Sequence, residues 1–376
     1  MTITDERLRP ERNNLTLVRL VLASAVIVTH CYWRVYNVSG QDGLSRWLGV
    51  PLSVYAVDGF FFLSGFLVYG SLERRANAGR FITARLTRMM PGLLVSVSLT
   101  VLAGALVTPL AFPVYMTGET MKFVFYNLTL LGGHYSLSGI MCGAHPCIIN
   151  GSLWTLHWEA LFYLVLAGLA LVGMSGRKWM VRLILPATLI GAFACHVPAI
   201  NSQIGISGGK GALYFAENID RLWTLFALGI AARIWKGYIR LSWRGLGALF
   251  ILNLIAHHWN VNIHVQTVFV GYAILCCGFL SARKRAVSGG WPDYSYGIYI
   301  YAFPAMMAVG SLADFDNALI LAAINFLCVI PLAVFSWHLI EKPALDLIRD
   351  KRRTGRKEEL REASAAHRLG HERPAG

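Results

Sequence analysis

Long apolar runs separated by short polar stretches recur from residue 14 almost to residue 341. A run near 20 residues is what an α-helix needs to cross the hydrocarbon core of a bilayer. The pattern predicts ten spans, at 15–33, 52–70, 89–110, 152–173, 181–197, 219–234, 242–257, 264–281, 294–312 and 318–341. The expected fold class is therefore all-α, a polytopic membrane helical bundle. Residues 1–345 read as one transmembrane domain and 346–376 as a basic, polar, flexible tail. The first run is interrupted by Arg19 and lacks a small-x-small site before Cys31, so it is read as a retained helix, not a cleaved signal.

Composition agrees with the pattern: 56% of the 376 residues are hydrophobic and 14% charged. The formal charge of +14 raises the question of a nucleic-acid partner, and its distribution answers it. Basic clusters at residues 7–12, 74–88, 177–182, 233–244 and 283–285, and from Lys342 onward, all fall on one side of a ten-span layout. The other side holds only Arg34, Arg46, Lys122 and Lys210. Such asymmetry marks the cytoplasmic face, so both termini are expected there, with membrane lipids and not nucleic acid as the charged partner.

Ionisable residues inside a span are costly and usually face a bundle interior or a watery cavity. The first span carries two, Arg19 and His30, on nearly the same helical face and roughly 16 Å apart. Asp58 lies about two turns into the second span, at a depth similar to His30, which makes a facing Asp/His pair an expectation. Arg85 and Arg88 share a face at the start of the third, where two guanidinium forks suit a phosphate-bearing ligand or a lipid headgroup. Glu159, two turns into the fourth span beside Trp154, Trp158 and Tyr163, needs a partner. His30, His157 and an arginine are the candidates, and a structural salt link is the plainer alternative. In the outer loop Phe123–Leu131 reads as interfacial or re-entrant, and Cys142 and Cys147 as a small disulfide. A metal site with His134 and His145 fits no standard zinc spacing, so none is expected. Span nine reads as aromatic belt and packing, and span ten as a helix stopped by Pro343. No internal repeat, Walker loop or appended soluble domain is read.

Taken together, these residues resemble the acyltransferase-3 family of bacterial integral membrane acyltransferases. The resemblance rests on Arg19 and His30, on Asp58 through Phe66, and on Arg85-x-x-Arg88 before Pro91. It rests further on Ser152-Leu-Trp-Thr-Leu156 with Glu159 and Tyr163, on Ser295-Tyr-Gly-Ile-Tyr299, and on Glu341-Lys-Pro343. It implies transfer of an acyl group, commonly acetyl from acetyl-CoA, to sugar hydroxyls of cell-surface glycans or their lipid-linked precursors, at the bacterial inner membrane. His30 is implied to be catalytic, Arg19 essential, Arg85 and Arg88 donor-binding, and Glu159 a site residue. Many members carry a histidine where this chain has Ala302, so span nine is given no catalytic part.

The chemistry is consistent with that resemblance. Acyl-CoA is a diffusible donor substrate, and no permanently bound cofactor is expected. Arg19 is too far along its helix to reach His30, so it is placed with the donor. Neutral imidazole is suited to take the proton of the attacking hydroxyl, with Asp58 or Glu159 orienting the ring; an acyl-histidine intermediate is the variant. Trp154, Trp158 and Tyr163 are assigned to substrate binding. A glycan or lipid-linked sugar exporter without acyl transfer is the alternative, although no repeated halves with broken helices are visible.

Overall fold

The computed structural model describes residues 1–37, 42–74, 77–142, 145–195, 198–259, 264–283 and 285–347, with side chains described throughout these ranges except at 195, 198–208 and 210. The expected tail lies outside the described residues from 348 on. The chain is almost entirely helical. In order the principal helices are α1 (Leu15–Tyr36), α2 (Leu52–Glu73), α3 (Ala78–Val107), α4 (Gly118–Leu128), α5 (Leu156–Leu171), α6 (Leu185–Cys195), α7 (Pro198–Ile234, broken at Gly209), α8 (Trp243–His258), α9 (Val265–Leu275), α10 (Ser295–Leu312) and α11 (Ala318–Ser336).

Among the described residues, five segments are long and apolar enough to cross a membrane: Leu15–Tyr36, Leu52–Glu73, Ala78–Val107, Gly151–Leu171 and Ala318–Leu347. Val265–Leu280 is a shorter apolar helix. Segments of this length and apolarity are those of a membrane protein. Large side chains such as Leu106, Leu171, Leu312 and Leu327 are exposed on the outside of the bundle, as expected where the surrounding solvent is lipid.

α2 is the centre of the bundle, and α7 lies against it closely because glycines face backbone. A Cβ at Gly65 would stand 1.9 Å from the Phe226 carbonyl oxygen, and one at Gly229 2.1 Å from that of Phe62. Small residues at a crossing let two membrane helices approach to backbone contact. α1 packs against α2, α10 and α11, and α10 against α11, where Gly297 faces the Cα of Ala333.

Three local features differ from the sequence expectation. The third span was expected to begin at residue 89, yet α3 starts at Ala78, where the Asn77 side chain accepts a hydrogen bond from the Arg80 amide at 2.9 Å. This cap closes an open helix end and puts Arg85, Arg88 and the membrane-crossing part on one rod, with Pro91 inside it. Second, the chain does not stop helically at Pro343. A π-helical turn, Trp337–Glu341, widens the helix just before the proline, and helix resumes to Leu347. The wider turn relieves the clash between a proline ring and the preceding carbonyls. Third, the short polar N-terminal lead-in is docked: Ile3 is buried, its amide donates to the Lys236 carbonyl at 3.3 Å, and Asp5 pairs with Lys236 at 3.1 Å.

In the loop between α4 and α5, Met141–Cys142 and His145–Pro146 form a two-residue antiparallel ladder. Cys142 and Cys147 are joined by a disulfide. The Phe123–Leu131 stretch falls mainly on α4, a short helix that buries Phe123 and Asn127.

Candidate functional site

A cavity of about 940 Å³ runs through the bundle. Its lining on α2 extends from Val57 to Ser71, with Arg74 beyond the helix end, roughly 26 Å of rise in all. At the Arg74 end it is walled by Leu8 and Pro10 of the docked N-terminal segment, by Leu345, and by Arg85 and Arg88 of α3. At the opposite end Val57, Phe60, Thr155 and Tyr299 close it. The cavity is thus elongated, basic at one end and aromatic at the other.

Arg19 comes from α1 and Arg88 from α3, and the acid that joins them is Asp293, just ahead of α10. Arg19 Nη1 meets Asp293 Oδ2 at 2.5 Å and Arg88 Nη2 meets the same oxygen at 2.9 Å. Arg88 Nη1 also meets Glu341 Oε2 at 2.8 Å, and its guanidinium lies over the Tyr296 and Trp337 rings. The π-turn turns Glu341 inward, where Ser336 donates to its other oxygen at 3.0 Å. Burial alone would raise the pKa of Asp293. The Arg19 and Arg88 guanidiniums, with hydrogen bonds from Ser295, outweigh that effect and hold it well below the usual carboxylate range.

Farther along the cavity, Glu159 Oε1 accepts hydrogen bonds from the Tyr163 hydroxyl and, at 3.2 Å, from Ser64 Oγ. Ser64 and Tyr163 are themselves 3.2 Å apart. Beyond this group, Thr155 Oγ1 and the Tyr299 hydroxyl are 2.9 Å apart, and Phe60 meets the Tyr299 ring edge-on with centroids at 5.7 Å.

Of the residues singled out in the sequence, the cavity gathers Arg19, Arg85, Arg88, Glu159 and Tyr163. His30 does not line it. Its ring packs edge-on against Phe303, centroids 4.9 Å apart, and Nδ1 is buried without a hydrogen-bond partner among the described residues. Phe303 is four residues past Tyr299 on α10, so His30 lies about one helical turn, roughly 6 Å, beyond the aromatic end of the cavity.

The expected Asp58–His30 pair is not formed. Arg221 donates to Asp58 Oδ1 through Nε at 2.8 Å and stands 2.6 Å away through Nη2, while Gln266 donates to Oδ2 at 2.8 Å. The partners of Asp58 in this structure are therefore Arg221 and Gln266, not His30, and they tie α2 to α7 and α9. Glu159 likewise finds hydroxyl partners where a histidine or an arginine was expected. Trp158 is a packing residue, buried among His157, Phe162 and Phe215, and Trp154 is half-buried against the core. Neither lines the cavity.

Asp293, Glu341, Ser64, Thr155, Tyr299 and Arg74 were given no role from the sequence. A signal existed for the first two. Acids flank two apolar runs at the membrane end where basic residues cluster, and intramembrane arginines need carboxylates. Periodicity carries no such signal for Ser64 or Thr155, because a hydroxyl in an apolar run is common.

A family model described as an acyltransferase domain matches residues 12–340. Nodulation protein 10 of Rhizobium leguminosarum bv. viciae is 26% identical over 376 aligned residues, covering 92% of this chain and 96% of that protein. An O-acetyl transferase of Shigella phage Sf6 is 26% identical over 364, covering 88% of this chain and 95% of that protein. No solved structure matches the chain.

Proposed function

The chain belongs to the acyltransferase-3 family, and from that premise we propose that it is an O-acyltransferase of the bacterial inner membrane, which moves an acyl group, acetyl first, from cytoplasmic acyl-CoA to a hydroxyl of a cell-surface or lipid-linked glycan. The observation that carries this proposal is the elongated cavity, with guanidinium groups at one end and, farther in, a half-buried carboxylate bonded to two buried hydroxyls. A donor with a polyanionic head, a thin arm and a thioester at its tip is complementary to it. The similarity to an O-acetyl transferase supports acetyl and an oxygen acceptor.

In this proposal the ten apolar stretches all span, with both termini and the arginine end of the cavity in the cytoplasm. Arg85 lies on the donor's side, together with Arg19 and Arg88, and the pantetheine arm runs along α2 past Ser64. The thioester passes between Phe60 and Tyr299 to reach His30. There the imidazole takes the acceptor's hydroxyl proton while the oxygen attacks the thioester carbonyl. The carbon–sulfur bond then breaks, and the leaving thiolate receives the proton from the imidazolium. Glu159 holds the Tyr163 and Ser64 hydroxyls at the wall along which the arm travels.

The test is thiol release by purified protein supplied with acetyl-CoA and a glycan acceptor. General-base assistance is typically worth about 10²–10⁴-fold, so His30→Ala should lose activity on that scale while remaining folded. A His30→Ala protein with normal acceptor-dependent thiol release contradicts the proposal.

A further inference from the structure

Among the described residues four arginines line the cavity, Arg19, Arg74, Arg85 and Arg88, and they do not carry equal free charge. Arg19 and Arg88 share the Asp293 carboxylate, and Arg88 is also paired with Glu341. Two acids therefore offset two cations within one half-buried network. Arg74 and Arg85 are different: among the described residues neither has a carboxylate at ion-pair distance. The acid next to Arg74, Glu73, is engaged by Arg233 at 3.5 Å. Arg85 Nε is buried without a hydrogen-bond partner. Arg74 feels the crowding: burial lowers its pKa first, the Arg233 charge lowers it further, and the Arg85 charge adds to this against the opposing pull of Glu73. Unpaired guanidiniums gathered at a cavity mouth form a site for an anion, because each fork binds phosphate oxygens in a two-bond geometry.

We infer that Arg74 and Arg85 form the subsite that receives the phosphate-bearing end of the donor, and that Asp293, backed by Glu341, is a positioning residue that withdraws Arg19 and Arg88 from phosphate binding and fixes them along the cavity wall. This inference rests on the acyl-CoA proposal above. It divides the arginines differently from their spacing in the sequence, which pairs Arg85 with Arg88. It also gives Arg74, the first residue past α2, a ligand of its own.

The experiment uses the full-length protein in neutral phosphatidylcholine vesicles, with acetyl-CoA, acetyl-3′-dephospho-CoA and acetyl-pantetheine as donors. Wild type should show a KM that climbs as phosphates are removed. In Arg74→Gln and Arg85→Gln, the KM for acetyl-CoA should rise about tenfold, the scale of one lost charge-assisted bond, and the three donors should become hard to tell apart. Asp293→Asn, which frees Arg19 and Arg88 toward the donor, should keep or sharpen the wild-type discrimination between donors while kcat falls, and Asp293→Glu should recover part of that kcat. A merely structural role for Asp293 would lower activity on every donor through loss of folded protein, with kcat per folded molecule unchanged. That outcome overturns its assignment.

Donor discrimination that survives in Arg74→Gln and Arg85→Gln, or that disappears in Asp293→Asn, overturns the inference while leaving acyl transfer standing. An effect of Arg74→Gln seen only after phosphatidylglycerol is added shows a lipid headgroup site and overturns it too. Wild type that transfers from none of the three donors overturns the acyl-CoA proposal, and the inference with it.

Discussion

Asp58 and Arg221 show what a buried charge does when it is fully paired. The Asp58 carboxylate is almost wholly enclosed, and every strong partner it has comes from another helix. Removing Arg221 strands a buried carboxylate, at a cost of up to about 3–5 kcal/mol, whereas removing the Asp58 charge leaves a guanidinium that is one-third exposed and costs less. Arg221→Gln should therefore lower the thermal unfolding midpoint in detergent, and Asp58→Asn with Arg221→Gln should recover part of the loss. A single variant with an unchanged midpoint would contradict the tie. Asp293 makes a pH prediction. Its folded pKa lies below the ordinary carboxylate value, so the stability it contributes is present above the unfolded pKa and disappears only as pH falls through the lower, folded one. Between pH 8 and 5 the Arg19–Asp293–Arg88 link should stay charged, and a pH profile of donor KM should show no acid limb that Asp293→Asn removes. At this scale the sequence revealed which residues are unusual for a membrane span but not whom they meet. Depth along a helix is countable; facing partners depend on packing, so Asp58 was matched with His30 where Arg221 and Gln266 hold it, and Asp293 was given no role.

Helix length and position were more legible than helix ends, for a physical reason. Burial of apolar side chains is summed over a whole run, whereas an end is decided by one cap or one proline. Each of the ten apolar stretches contains helix, but the Asn77 cap moves the start of α3 back to Ala78, and the π-turn carries the last helix past Pro343. Both shifts matter for the site, because they bring Arg85 and Glu341 to the cavity region. The contact between α2 and α7 is testable at this scale. The Gly65 and Gly229 Cα atoms face carbonyl oxygens, not side chains, so no rotamer change can make room for a methyl group. Gly65→Ala should force the two helices apart and cost about 1–3 kcal/mol, the usual price of overpacking, read as a lower unfolding midpoint. Gly168→Ala, where a Cβ meets nothing within 4 Å, is the control and should not lower the midpoint, since alanine is the better helix former.

For the molecule as a whole, the proposed orientation places the basic end of the cavity where a water-soluble donor is available and His30 toward the side where glycan acceptors reside. Its charge asymmetry was readable from sequence, since short basic loops are counted without knowing the fold. The cavity was not, because it is made by helices distant in the chain. Cysteines introduced one at a time in the 235–242 and 34–37 stretches should label from opposite faces of sealed vesicles; labelling from the same face would contradict the ten-span layout.

The most direct measurement of the central claim loads labelled acetyl-CoA on one side of sealed vesicles holding the wild-type protein and follows label into glycan on the other. Label should enter the glycan only when acetyl-CoA is on the side of Arg74 and Arg85, and His30→Ala should abolish it. Glycan that crosses or accumulates with no label attached, at a rate His30→Ala leaves unchanged, would contradict acyl transfer and make the protein an exporter.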